Sequence, residues 1–200
     1  MEAPIQALDN MHVKYKPVFS CDNDKICQEF IKANFCPEIM YGDIMLRDNS
    51  KVPKVDLYVA GFPCQPFSSM GKQLGANAKE CQGDVFWRVF DYIEQKRPKI
   101  FILENVKGFV SLEDGRYLKE ALAALNSIGA QDNFAKIQEV RGVCSGRYSI
   151  YHKLLNTKDH GIPHSRQRWY CIGILNHLEK QKCINRNEFK FPEPRTCLLY

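Results

Sequence analysis

Long apolar runs are missing from this sequence, in which no stretch approaches the roughly 18–20 residues that a membrane-spanning helix requires. The N-terminus also lacks the basic and then apolar pattern of a secretory signal peptide. We therefore expect an intracellular protein, nuclear if its source is eukaryotic. The nine cysteines include no C-x-x-C pair, so neither a zinc ribbon nor a thioredoxin-type site is expected.

Glycine is missing from the N-terminal segment, because the first glycine of the chain is Gly42. A turn that holds a ligand with its backbone N–H groups depends on glycines for tight turning and close approach. Such a turn is therefore excluded before Gly42. Charges of the two signs nearly balance, and the formal net charge of +5 is compatible with a nucleic-acid partner without requiring one.

What the sequence does contain is an alternation of strand-like and helix-like segments in 200 residues, of which 44% are apolar. A chain of this length forms about one domain with a sizeable core. The apolar patterns predict strands at 17–21, 55–62, 99–106, 148–157 and 168–175, and helices at 24–35, 83–98 and 117–129. In the first helix Ile26, Phe30 and Ala33 share one face. The order predicts an α/β fold with a mostly parallel sheet and helices on both faces.

Three of the predicted strands end in residues that carry chemistry. In parallel sheets the ligand binds outside the carboxyl ends of the strands. Residues 21–24, 61–68 and 104–108 stand at such ends, although they are scattered along the sequence. We therefore expect them to line one crevice.

Cys64 lies in the loop GFPCQPFSS, just after the apolar run that ends near Gly61. Pro63 and Pro66 restrict the backbone on both sides, so the loop loses less entropy in holding the thiol in place. A thiol that is fixed and accessible suits a nucleophile. From these residues alone, the alternative is a small apolar side chain that fills a turn.

Glu104 follows the buried strand KIFIL directly. Partial desolvation at the mouth of a strand favours the protonated form of a carboxyl group, which suits a general acid. The alternative is a strand-end glutamate paired with a lysine in solvent.

Arg166 and Arg168 stand at alternate positions before a late strand, so their side chains point the same way in an extended segment. They could hold the edge of a planar base or a phosphate, and the alternative is a solvated strand entrance. His160 and His164 lie nearby, but the glycine and proline between them break any helix that would align two ligands. No metal site is expected.

Asp22 and Asp43 are the acidic candidates on the N-terminal side. An acid at the end of the second strand of a nucleotide-binding sheet commonly accepts hydrogen bonds from ribose hydroxyls. For Asp22 the alternative is the N-cap of the helix that follows.

Together these motifs resemble those of the S-adenosylmethionine-dependent cytosine-5 DNA methyltransferases. The segment AGFPCQPFSSMGKQLG resembles the catalytic Pro-Cys loop of that family, KIFILENVKGF its Glu-Asn-Val motif and HGIPHSRQRWYCIGI its arginine motif. VFSCDNDKICQEFIKANF followed by YGDI is similar to the two cofactor-side motifs. The motifs stand in family order across residues 18–174.

The resemblance implies a Rossmann-like methyltransferase domain at residues 1–175, followed by a tail at 176–200. By it, Cys64 attacks carbon 6 of a cytosine flipped out of a DNA duplex. Glu104 contacts ring nitrogen 3 and the exocyclic amine and protonates the ring. Arg168 holds the base oxygen, with Arg166 beside it. Carbon 5 then takes the methyl group of S-adenosylmethionine.

On the cofactor side, the resemblance implies that Asp22 binds the ribose of S-adenosylmethionine and Asp43 its adenine. It implies that Val85 makes an apolar contact with the same cofactor. The family opens with a Phe-x-Gly-x-Gly turn. Since no glycine precedes Gly42 and MEAPIQALDN resembles the helix after that turn, the sequence is expected to begin just past it. Nothing after Ile174 resembles the family's target-recognition region.

Three functional hypotheses stay open at this point. The first is an active DNA cytosine-5 methyltransferase, favoured by the presence of Cys64, Glu104 and Arg168. The second is a non-catalytic or partner-dependent homologue that binds nucleic acid, favoured by the missing glycine turn and recognition region. The third is an RNA enzyme of the tRNA-modifying branch. The sequence indicates neither a target site nor an oligomeric state.

Overall fold

A computed structural model describes residues 2–63, 85–129, 147–176 and 189–194. Cys64 and most of the predicted tail lie outside the described residues. The chain divides into two compact units, Met1–Val55 with Gly75–Lys96 and Asp56–Leu74 with Arg97–Tyr200. Within the described residues, no helix is both long and apolar enough to cross a membrane.

Among the described residues, the first unit contains two short parallel strands and three α-helices. In chain order these are α1 (Ala3–Asn10), β1 (Phe19–Cys21), α2 (Lys25–Phe35), β2 (Ile39–Tyr41) and α3 (Val85–Lys96). Ser20 of β1 is the register partner of Met40 of β2. The strand and helices predicted at 17–21, 24–35 and 83–98 are thus confirmed, with somewhat shorter bounds.

The predicted apolar face of α2 is not the face that the protein buries. Ile26 is 78% exposed and Phe30 is 47% exposed, whereas Ile31 is buried. Ile31 follows Ile26 by five positions, which places them well apart around a helix of 3.6 residues per turn. The side of the helix near Ile31 is held by Gln28, whose Nε2 donates to the carbonyl oxygen of Asp22 at 2.8 Å.

Helix α3 packs as its spacing predicts. Phe86, Val89 and Ile93 are buried on one face. Tyr92 is buried with them, and its hydroxyl donates to the carbonyl oxygen of Pro53 at 2.7 Å. Because a buried hydroxyl needs a partner, this bond fixes the helix against the segment that follows β2.

The second unit contains a four-stranded sheet with order β3-β4-β6-β5. Its elements are β3 (Leu57–Gly61), β4 (Ile100–Val106), α4 (Lys107–Ser111), α5 (Arg116–Ser127), β5 (Tyr148–Asn156) and β6 (Gln167–Leu175). Strands β3 and β4 are parallel, whereas β6 is antiparallel to both of its neighbours. The predicted α/β fold is confirmed. The antiparallel β6 adds a feature that the segment order did not predict, and it follows from the short connection between β5 and β6.

The centre of this sheet is tightly packed. Phe101 and Leu103 of β4 and Cys171 of β6 are fully buried, and burial raises the pKa of the Cys171 thiol to about 12. Gly173 of β6 is the register partner of Phe101. A Cβ added at Gly173 would lie 2.1 Å from the Phe101 ring, so only glycine fits there.

Candidate active site

One candidate site, in the second unit, is at the carboxyl ends of β3 and β4. Gly61, the last residue of β3, is the register partner of Glu104. A Cβ at Gly61 would lie 3.2 Å from Glu104 Oε2, closer than ordinary side-chain contacts. Pro63 is described, and the predicted nucleophile Cys64 is the next residue along the chain, outside the described residues.

Glu104 is paired with Arg168. Arg168 Nε lies 2.9 Å from Glu104 Oε1, and the two side chains are 19% and 31% exposed. Glu104 lies within β4 and Arg168 within β6, in agreement with the strands predicted at 99–106 and 168–175, and Arg166 precedes β6. The alternative of a lysine partner in solvent is wrong, because cross-strand contact between β4 and β6 supplies an arginine instead.

Tyr170 is a residue of this region that the sequence interpretation missed. It is the register partner of Glu104 on β6, so the two side chains share one face of the sheet. Burial raises the pKa of the Tyr170 phenol, the Glu104 charge raises it further, and Arg168 and Arg166 oppose that rise. Its position two residues after Arg168 could have indicated it, because alternate residues of a strand face the same way.

Arg166 is exposed and precedes β6. Its backbone N–H is within hydrogen-bond distance of Asn156 Oδ1, at 3.0 Å, and of Thr157 Oγ1, at 3.1 Å, so side chains at the end of β5 fix its backbone. Its charge reaches Tyr170. Among the described residues, no group of three or more His, Cys, Asp or Glu side chains could hold a metal ion.

The opposite face of β4 and β6 is aromatic and buried. The ring of Trp169 lies 5.0 Å from that of Phe109, which in turn lies 5.5 Å from Phe62 beyond the end of β3. Asn105 is buried beside them as the register partner of Trp169. This packing supports the strands from behind and holds the backbone of Glu104 and Arg168 in place.

Another candidate site lies in the first unit, at the ends of β1 and β2. The backbone N–H of Asp22 donates to the carbonyl oxygen of Tyr41 at 3.2 Å, which ties the two ends together. Asp22 is not the N-cap of α2. That position belongs to Asp24, whose Oδ1 accepts from the backbone N–H groups of Ile26 and Cys27.

Asp43 is exposed just beyond β2, and its Oδ1 accepts from the backbone N–H of Met45 at 2.8 Å. The neighbouring Cys21 thiol donates to the carbonyl oxygen of Gly42 at 3.0 Å. Burial raises the pKa of Cys21, and the charges of Asp22 and Asp43 reach it. The two predicted acids therefore flank one thiol.

Val85, the apolar candidate, is half-buried as the first residue of α3. The first unit thus presents two carboxylates at adjacent ends of parallel strands, which suits recognition of hydroxyl and amine groups. The second unit presents a carboxylate, a guanidinium and a phenol on one face, a set that can bind a planar polar ring and move a proton.

Comparison with solved structures supports the fold. A mutant DNMT2 of Spodoptera frugiperda matches with a TM-score of 0.62 and 20% sequence identity, over 94% of this chain and 53% of that one. A putative DNA modification methyltransferase from an E. coli prophage matches with a TM-score of 0.59 and 17% identity, over 92% and 45% of the two chains.

Sequence relatives are closer. The Type II methyltransferase M.HaeII of Haemophilus aegyptius is 36% identical over 179 residues, which are 90% of this chain and 47% of the relative. M.HhaI of Haemophilus parahaemolyticus is 34% identical over 88% of this chain and 46% of the relative. The chain thus spans about half the length of these relatives. Because residues 6–198 match the model of the C-5 cytosine-specific DNA methylases, the chain belongs to that family.

Proposed function

We propose that the protein transfers a methyl group from S-adenosylmethionine to carbon 5 of cytosine in DNA, through a covalent adduct with Cys64. The observation that carries this proposal is the pairing of Glu104 with Arg168 beside the end of β3. The chain leads from that end through Pro63 directly into Cys64. Nucleophile, acid and base-holding guanidinium thus come from three segments that are far apart in sequence.

In this reaction the Cys64 thiolate adds to carbon 6 of a cytosine that has left the base stack, since that carbon is unreachable inside a duplex. The Glu104 carboxyl donates a proton to ring nitrogen 3 as the carbon–sulfur bond forms. Negative charge therefore does not accumulate on the ring, and carbon 5 becomes nucleophilic. After carbon 5 is methylated, its proton passes to a base, the carbon–sulfur bond breaks to release the Cys64 thiolate, and ring nitrogen 3 returns its proton to Glu104.

Arg168 orients both Glu104 and the cytosine base. Its Nε holds Glu104 Oε1 at 2.9 Å, and its Nη1 donates to the carbonyl oxygen of Gln167 at 2.8 Å. Nη2 of the planar fork is then available for the base oxygen. Arg166, exposed and two residues earlier, is suited to a DNA phosphate because solvent-facing arginines contribute mainly to backbone binding.

The cofactor is assigned to the first unit. Carboxylate oxygens at Asp22 and Asp43 fit the ribose hydroxyls and the adenine amine, because each needs an acceptor at a strand end. Val85, half-buried at the start of α3, supports this assignment as an apolar contact. When bound, S-adenosylmethionine supplies a methyl group activated by its sulfonium charge.

The test is methyl transfer with a labelled donor and a duplex that contains cytosine, followed by digestion to nucleosides. We expect label in 5-methyldeoxycytidine, and none when Cys64→Ser replaces the wild-type chain. Label in 4-methyldeoxycytidine, or an equal yield from Cys64→Ser, would overturn the mechanism. Transfer to RNA but not to DNA would keep the mechanism and change the substrate. Binding of DNA without any transfer would favour a non-catalytic homologue.

A further inference from the structure

Arg47 in the first unit is charged and buried. It is 5% exposed and follows Asp43 by four residues. Among the described residues, no carboxylate lies within salt-bridge distance of it, and its Nη2 is buried without a hydrogen-bond partner. A cation is costly to bury without full compensation, and an apolar side chain of similar volume would pack at lower cost. Packing alone therefore does not explain why a charged side chain occupies this buried position.

Three aromatic rings surround the guanidinium. The Cζ atom lies 5.5 Å from the ring centroid of Phe19, 5.7 Å from that of Tyr41 and 5.6 Å from that of Tyr92. These rings come from β1, β2 and α3. Each face attracts a cation, and the attraction grows when water is excluded. The guanidinium therefore links the two strands to the helix at a single point.

Hydrogen bonds extend this link to the segment that begins at Asp43. Arg47 Nε donates to Asn49 Oδ1 at 3.1 Å, and Asn49 Nδ2 donates to Asp91 Oδ2 at 2.7 Å. Arg88 Nη2 donates to the carbonyl oxygen of Arg47 at 2.6 Å. The segment after β2 is therefore held to α3 on both sides of the guanidinium.

The same charge acts on the ends of β1 and β2. Burial raises the pKa of the Cys21 thiol, Arg47 lowers it, and Asp22 and Asp43 raise it again. Arg47 and both acids are thus within electrostatic reach of one thiol. Cys21 is the last residue of β1, so the Arg47 charge acts at the point where this strand ends.

We propose that Arg47 is a positioning residue for the adenosine part of the cofactor. It keeps the ends of β1 and β2 together, so that Asp22 and Asp43 can engage the same ligand. The inference rests on the proposed function, because it takes these two acids as cofactor contacts. Arg47 itself is buried and is not assigned a contact with the ligand.

The test compares Arg47→Met and Arg47→Lys with the wild-type chain, using calorimetric binding of S-adenosylmethionine and steady-state kinetics. Arg47→Met should raise Kd and KM for S-adenosylmethionine at least about tenfold, equal to about 1.4 kcal/mol, while kcat at saturation changes less than twofold. Arg47→Lys keeps the charge and should recover part of the affinity. Unchanged affinity in a folded Arg47→Met variant, or no recovery with lysine, would overturn the proposal.

Lys96→Gln is the matched control. Lys96 Nζ donates to the carbonyl oxygen of Ser50 at 2.7 Å, so it also ties α3 to the segment after β2, but from an exposed position. This variant should bind S-adenosylmethionine like the wild type. An equal loss of affinity in Lys96→Gln would assign the effect to the contacts between α3 and the segment after β2 in general, and would overturn the role of the Arg47 charge.

Cys21 supplies a second readout that a purely structural role would not produce. Alkylation requires the thiolate, which the guanidinium favours. At fixed pH, Cys21 should therefore react more slowly with iodoacetamide in Arg47→Met than in the wild type, with Arg47→Lys between the two, measured peptide by peptide. Faster reaction would mean a loosened core and would overturn the proposal. If the wild-type chain bound no S-adenosylmethionine, the proposed function itself would be overturned. If the wild-type chain bound it and the Arg47 variants bound it with the same affinity, only this inference would be overturned.

Discussion

Arg168 and Glu104 form a partly buried ion pair across two antiparallel strands, with Nε of the arginine 2.9 Å from Oε1 of the glutamate. Partial burial shields the pair from solvent, and the Nε contact leaves much of the guanidinium free. In the proposed reaction the two side chains contact the same hydrogen-bonding edge of one planar base, Glu104 at nitrogen 3 and the amine and Arg168 at the oxygen. Their mutual contact keeps both side chains oriented for the base.

Glu104→Gln tests proton donation by residue 104 without changing the shape of its side chain. Glutamine keeps the size of the side chain and a hydrogen bond to Arg168, but it cannot protonate ring nitrogen 3. We expect kcat to fall by about 10²–10⁴-fold, the usual contribution of a general acid, with the Kd for S-adenosylmethionine unchanged. Single-turnover methylation measures the fall in rate, and calorimetry measures the Kd for S-adenosylmethionine. Retained activity would remove Glu104 from the chemistry, and loss of the cooperative unfolding transition would make its role structural.

Gly61→Ala tests the close approach of β3 to Glu104. The added Cβ would lie 3.2 Å from Glu104 Oε2, so the carboxyl group must shift away from its position beside Arg168. Misplacement of a catalytic group by a fraction of an ångström can cost activity of about tenfold or more. We expect that loss in kcat with little change in Tm.

Gly108→Ala provides the comparison for Gly61→Ala, because a Cβ at Gly108 meets its nearest atom at an ordinary 3.9 Å. This variant should keep wild-type kcat. Equal kcat in both variants would mean that the contact between Gly61 and Glu104 has no catalytic consequence.

Sequence patterns located Glu104 and Arg168 because each belongs to an apolar strand with a recognisable local motif. They did not give the pairing, which depends on β6 inserting antiparallel beside β4. The face of α2 was wrong for a related reason. Spacing identifies residues that share a helical face, but only packing decides whether that face or the one carrying Ile31 is buried.

Arg47 shows a different limit. Its environment is built from Phe19, Tyr41 and Tyr92, which are widely separated in sequence. Read alone, an arginine in a polar segment is expected at the surface. No local spacing rule indicates a buried cation that three distant rings enclose.

Gly173→Ala should destabilise the second unit without touching the candidate site. The new Cβ would lie 2.1 Å from the fully buried Phe101 ring, on adjacent strands. Overpacking of this kind costs about 1–3 kcal/mol, measured by urea unfolding. Phe101→Leu should recover part of that loss in the double variant, because a smaller side chain makes room. A purely additive pair would contradict the close contact.

Cys171 predicts an alkaline limit of stability. Burial raises the pKa of its thiol from 9.0 to about 12, so the folded state disfavours the thiolate. The stabilisation is present below the unfolded pKa and is lost as pH rises from about 9 towards about 12. The stability advantage of wild type over Cys171→Val, from urea midpoints, should shrink across that window.

Alkylation gives an independent check on Cys171. In the folded protein the exposed Cys36 should react with iodoacetamide well below pH 12, whereas Cys171 should stay unmodified. Rapid modification of Cys171 at neutral pH, with the protein still folded, would show that the thiol is not enclosed.

The most direct test of the account is capture of the covalent adduct. A duplex with 5-fluorocytosine in place of cytosine blocks the final proton loss, so the carbon–sulfur bond cannot break once methyl transfer has occurred. With S-adenosylmethionine present, the wild-type chain should form a denaturant-stable complex with this duplex, and peptide mapping should place the bond at Cys64. Cys64→Ser should form none. An adduct at another cysteine, or no adduct under conditions in which the chain methylates an unmodified cytosine duplex, would contradict the account.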